Sequence, residues 1–149
     1  MRHRTSRALT LTMAAASLAA GAIATAAPAF ADDPAPVGPP LRHVQYTVTA
    51  DSPYWVHIYY RDSEPVQFSD YSHNPYEFSP RADVDVAPDK PWVFDAMLAD
   101  PDLWAMVLVQ SGESPNFPTP GFNCTLAVDG VVVKTNSGPK GALCSIRNW

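Results

Sequence analysis

Beyond residue 40 the apolar positions recur at every second residue, in short runs broken by Pro, Gly, Asn and Asp. That period sends successive side chains to opposite faces of a strand, and no stretch sustains the 3.6-residue apolar period of an amphipathic helix. Residues 43–49 begin the pattern, with Val44, Tyr46 and Val48 on one face and Gln45, Thr47 and Thr49 on the other. Asp51-Ser52-Pro53 turns the chain into residues 55–61, where Val56, Ile58 and Tyr60 lie opposite Trp55, His57 and Tyr59. Tyr60 is thereby assigned to the core. Residues 62–80 are interrupted by Pro65, Pro75 and Pro80 and read as a long loop with a short strand at 66–69; another short strand falls at 82–86.

The pattern sharpens again at 92–98, where Trp92, Phe94, Ala96 and Leu98 share a face, followed by a tight turn at Asp100-Pro101-Asp102. Residues 104–110 are apolar on both faces, which places that strand either at the centre of its sheet or beside a ligand cavity. Asp129-Gly130 lies between apolar runs at 122–128 and 131–135 and predicts a two-residue hairpin. A loop at 136–140 leads to a last strand at 142–147. About seven short strands at this spacing predict an all-β, two-sheet sandwich of immunoglobulin-like type.

The N-terminal 31 residues read differently. Arg2, His3, Arg4 and Arg7 precede an alanine-rich apolar stretch at 8–24, and Ala29-Phe30-Ala31 supplies a small-x-small cleavage pattern. The stretch falls short of the ~20 strongly apolar residues of a spanning helix, so the expectation is a cleavable signal peptide rather than a retained anchor. No Cys follows it for lipid attachment, and no Arg-Arg pair marks export of a folded chain. Residues 32–40 form a Pro-rich spacer and 41–149 the sandwich domain. Localisation is then secreted, extracellular or periplasm-like cell envelope.

Cleavage would remove Arg2, Arg4 and Arg7, leaving seven basic against 15 acidic residues. That balance excludes nucleic acid as a partner and limits membrane association to an indirect one. Cys124 and Cys144 share faces with Leu126 and Ile146, and in an exported chain they predict a buried disulfide. Metal ligation is the rival reading, without His or Cys at ligand spacing to support it.

No nucleophile elbow, phosphate-cradling glycine loop or His-Glu-x-x-His is present, and His43, His57 and His73 are dispersed. Asp83 and Asp85 share a strand face and Asp95 interrupts an apolar run; these carboxylates keep an envelope hydrolase as a third reading. The expectation is a protein without catalysis, metal or cofactor. The most suggestive group is aromatic: Tyr54, Trp55, Tyr59, Tyr60, Phe68, Tyr71, Tyr76 and Phe78 crowd one stretch. Such rings either present a binding surface or cover the end of a small core. For ligand or partner contact the candidates are Trp55, Tyr59, Tyr71 and Tyr76.

The order Val44-x-Tyr46-x-Val48, Ile58-x-Tyr60-x-Asp62 and Pro91-Trp92 continues into Val107-x-Val109-Gln110-x-Gly112. Cys124-x-Leu126-x-Val128-Asp129-Gly130 and Gly141-Ala142-x-Cys144 complete it. In this order the chain resembles the MmpS family of small mycobacterial membrane proteins. The resemblance implies a β-sandwich outside the plasma membrane, accessory to an MmpL transporter of the RND type that exports lipids or siderophores. The second expectation is a free secreted module that binds a hydrophobic or glycolipid ligand through the aromatic loop.

Overall fold

Strand alternation becomes burial in the computed structural model, which describes residues 38–112 and 116–148. Eight strands form: β1 Arg42–Ala50, β2 Tyr54–Tyr60, β3 Arg81–Val86, β4 Trp92–Leu98, β5 Met106–Gln110, β6 Phe122–Val128, β7 Val131–Gly138 and β8 Gly141–Ser145. They pair antiparallel in two four-stranded sheets, ordered β4-β1-β6-β7 and β3-β2-β5-β8. The result is the expected β-sandwich. The expected signal peptide, residues 1–31, and most of the expected spacer at 32–40 lie outside the described residues.

The core lies between the sheets. Val44, Tyr46 and Val48 of β1 are fully buried, as are Ile58 of β2 and Val107 and Val109 of β5. Each such side chain contributes about 1.5–3 kcal/mol of transfer free energy. Tyr46 buries its hydroxyl too and satisfies it by donating to the Arg61 carbonyl at 2.9 Å. Burial raises its pKa far above the ordinary phenol value, so the hydroxyl stays protonated as a donor. Of the two readings of the doubly apolar segment, the central strand holds: β5 runs between β2 and β8.

Cys124 on β6 and Cys144 on β8 form the disulfide, with Cα atoms 6.0 Å apart. It ties one sheet to the other through the core, and both residues are buried. At the hairpin, Asp129 and Gly130 both have positive φ, as a type I′ turn requires. Asp129 also accepts from Arg42 Nε at 2.9 Å and from the His43 amide at 3.0 Å, fastening the turn to the start of β1.

Four local expectations are corrected. The strand expected at 66–69 is absent: a short helix, α1, spans Phe68–His73, and Val66 is exposed. No neighbouring strand pairs with the segment; instead Ser72 Oγ donates to the Ser69 carbonyl at 2.9 Å. The strand expected from residue 104 begins at Met106, because a single-turn helix, α2, takes Pro101–Trp104. Asp100 caps that turn by accepting from the Leu103 amide at 3.1 Å, and Pro101 sits where its missing N–H is harmless. β7 runs on to Gly138 rather than looping out after Thr135, since its ladder with β6 continues to the Phe122–Gly138 pair. β8 ends at Ser145, two residues earlier than the pattern suggested.

Candidate functional site

The period of β2 turns Val56 and Ile58 inward and Trp55, His57 and Tyr59 onto the outer face of the second sheet. Register then supplies their neighbours. On one side Trp55, His57 and Tyr59 lie opposite Asp85, Asp83 and Arg81 of β3. On the other side His57 lies opposite Gln110, and Tyr59 opposite Leu108, on β5.

These neighbours are linked. His57 Nδ1 and Asp83 Oδ1 are 2.6 Å apart, and Arg81 reaches the same carboxylate at 2.9 and 3.1 Å. The hydrogen bond with His57, and then the Arg81 charge, hold the Asp83 carboxyl below the usual carboxylate range. The hydrogen bond with Tyr59 and the charge of Asp83 raise Arg81 further. The Trp55 ring stands edge-on to His57, centroids 4.8 Å apart and planes at 72°. A chain of contacts running Arg81, Asp83, His57 thus backs an indole that remains 54% exposed.

Beside Trp55 opens a cleft of about 370 Å³, lined also by His57, Gln110, Ser111, Gly112 and Phe117. Phe117 lies on Gly112: a Cβ there would meet the ring at 2.7 Å, and the φ of +107° independently favours glycine. A wider groove of about 600 Å³ runs from Asp51 past Gly121 to Ser137. Its Asp51 and Asn123 side chains are bonded to each other at 2.9 Å.

The four aromatic candidates do not form one site. Trp55 and Tyr59 stand on β2. Tyr71 belongs to α1 and is half-buried, its ring 4.5 Å from the guanidinium carbon of Arg61. Phe68, Tyr71 and Trp104 pack together, with centroids 5.9 to 6.4 Å apart. That cluster covers a fully buried Arg61, a residue that strand periodicity does not single out. Arg61 donates to the carbonyls of Trp104 and Phe78 and, at 3.0 Å, to Ser79 Oγ. Tyr76 is 82% exposed in the same connection. Tyr60 packs against the core and on Phe94 at 4.4 Å, as its strand parity predicts.

Phe117 and Gln110 were not foreseen as site residues. Gln110 carried a signal, the one polar position in an apolar strand, whereas Phe117 lies in a Pro-rich loop without periodicity. His43 pairs with Asp95 at 2.7 Å and His73 Nδ1 lies 2.6 Å from the Ser69 carbonyl. Among the described residues no three His, Cys, Asp or Glu side chains come together as a metal site. No described helix is long and apolar enough to cross a membrane.

Comparison with known proteins places this fold. Residues 46–144 match the family model described as the Rv2576c beta-sandwich domain. Relatives include the uncharacterized protein Rv2576c of Mycobacterium tuberculosis H37Rv and the uncharacterized protein Mb2606c of Mycobacterium bovis. Each is 33% identical over 111 residues, covering 74% of this chain and 70% of the relative. The resemblance to MmpS is thereby overturned. The features that carried it, alternating strands, an Asp-Gly hairpin and two core cysteines, are what any small stapled sandwich requires, so they do not separate one such family from another. The chain belongs to the Rv2576c β-sandwich domain family.

Proposed function

We propose that this protein is a secreted, non-enzymatic binding module of the cell envelope. It takes a hydrophobic or glycolipid ligand on the outer face of its second sheet. The observation that carries the reading is the half-exposed Trp55 lining an open cleft together with Phe117, its ring edge-on to His57, which Asp83 holds. A rigid, amphipathic ring left at the surface provides contact area at little conformational cost. The disulfide supports an oxidising compartment.

Against hydrolysis stands the state of the carboxylates. A glycosidic general acid needs a raised pKa, whereas Asp83 and Asp95 are both lowered by their hydrogen-bond partners. An accessory role beside an MmpL-type transporter rested on the MmpS resemblance and goes with it.

The test is a titration of the purified domain with neutral oligosaccharides, palmitate and phosphatidylcholine vesicles, followed by tryptophan fluorescence. The expected result is a saturable change with at least one probe that Trp55→Ala removes while the melting temperature stays near wild type. Saturable binding to none of them would overturn the proposal.

A further inference from the structure

We infer that the Trp55–Phe117 cleft recognises a neutral sugar ring, in a free glycan or as the headgroup of a glycolipid, rather than an acyl chain. The inference deepens the proposed function and rests on it. Three features of the cleft select among ligand classes.

Shape comes first. An acyl chain is taken up by enclosed apolar cavities that bury most of its surface. Here the cleft is open at the protein surface, and its aromatic side chains, Trp55 at 54% and Phe117 at 49% exposure, remain wet. Open aromatic faces suit a flat ring with one apolar face and a polar rim, which stacks on an indole and keeps its hydroxyls toward water.

The polar groups come second. The Gln110 carboxamide offers a donor and an acceptor together, the pair that vicinal hydroxyls match. His57 lines the cleft as well. Its Nδ1 lies 2.6 Å from Asp83 Oδ1, a hydrogen bond that orients the ring, and Arg81 in turn holds Asp83.

Charge comes third. Among the described residues of this face Arg81 is matched by Asp83 and Lys90 by Asp85, which lies opposite Trp55. With 15 acidic against 10 basic residues in the chain, the balance of charge disfavours a phosphate or a carboxylate. A neutral ligand fits; an anionic headgroup does not.

The experiment is isothermal titration calorimetry on wild type, Trp55→Ala, Phe117→Ala and Gln110→Ala. The probes are neutral gluco-, galacto-, manno- and arabino-oligosaccharides, with palmitate and phosphatidylcholine vesicles as the competing class. Thermal melts establish that each variant is folded. At least one oligosaccharide should bind wild type, and each aromatic truncation should weaken it about tenfold or more. Trp55→Phe, which keeps a stacking face, should recover part of that loss. Trp55-dependent binding of palmitate or vesicles with no sugar binding would overturn the sugar inference and leave the binding-module reading standing. Sugar binding indifferent to Trp55→Ala would overturn the placement of the site. Binding of no probe would overturn both readings.

Discussion

Gly112 shows how one residue can shape a cleft through the side chain it lacks. Its φ of +107° and the Phe117 ring, which a Cβ would meet at 2.7 Å, are two separate demands for a missing side chain. Gly112→Ala should destabilise the fold by about 1–3 kcal/mol through backbone conformation. It should also displace the exposed Phe117 ring and weaken ligand binding. Chemical denaturation measures the first effect and titration the second. A variant that binds like wild type would show that Phe117 is no wall of the site. Trp55 poses the complementary case, an exposed ring whose position is set by His57 and, behind it, Asp83.

At the scale of elements, the connection at 62–80 is fastened near both ends. Glu64 accepts from the amides of Ala99 and Asp100 at 3.0 and 2.7 Å, joining the connection to the turn before α2. Arg61 holds the other end through Phe78 and Ser79, and Tyr71 lies over its guanidinium. Arg61→Ala would strip buried carbonyls of a donor at about 1–3 kcal/mol each and open a cavity besides. The expected outcome is a lowered melting temperature together with early proteolytic nicking within 62–80, read by mass spectrometry. Arg61→Lys should not rescue it fully, because an ammonium lacks the planar fork that reaches several carbonyls. Nicking at wild-type rate would mean that the connection is held without Arg61.

The whole molecule is two sheets and one covalent tie. The disulfide closes a sequence separation of 20 residues, worth about 3 kcal/mol in the chain-entropy account. Cys124→Ala, Cys144→Ala or reduction should lower the melting temperature by on the order of 10 °C, a shift that calorimetry resolves. Acid should act on the surface ladder. Asp83, Asp95 and Asp129 all fold with carboxyl pKa values below the ordinary 3.8, through hydrogen bonds first to His57, Gln45 and Arg42 respectively. A carboxyl depressed by folding contributes stability in full above its unfolded pKa and loses it as pH falls through the folded value. The melting temperature should therefore begin to fall below about pH 4. The combined Asp83→Asn, Asp95→Asn and Asp129→Asn variant should show a flatter decline. An equally steep decline in that variant would assign acid lability to other groups.

What the sequence by itself determined is everything that depends on near neighbours along the chain. The inward sets Val44-Tyr46-Val48 and Val56-Ile58 follow from a period of two, and the Asp129-Gly130 turn follows from the conformations those residues tolerate. The facing of Cys124 and Cys144 toward a common core follows from the same parity. Strand pairing is different, because its hydrogen bonds join residues far apart in the chain and local preference does not choose the partner. Residues 66–69 had strand-like composition and became part of a helix and its approach because no ladder reached them. Register alone set Asp83 against His57, and only the folded chain brought Phe117 and Trp55 to one cleft. Arg61 reads locally as a polar strand end, and only the closing of the 62–80 connection and α2 over it buries its charge. Local sterics wrote the strands; long-range pairing built the site.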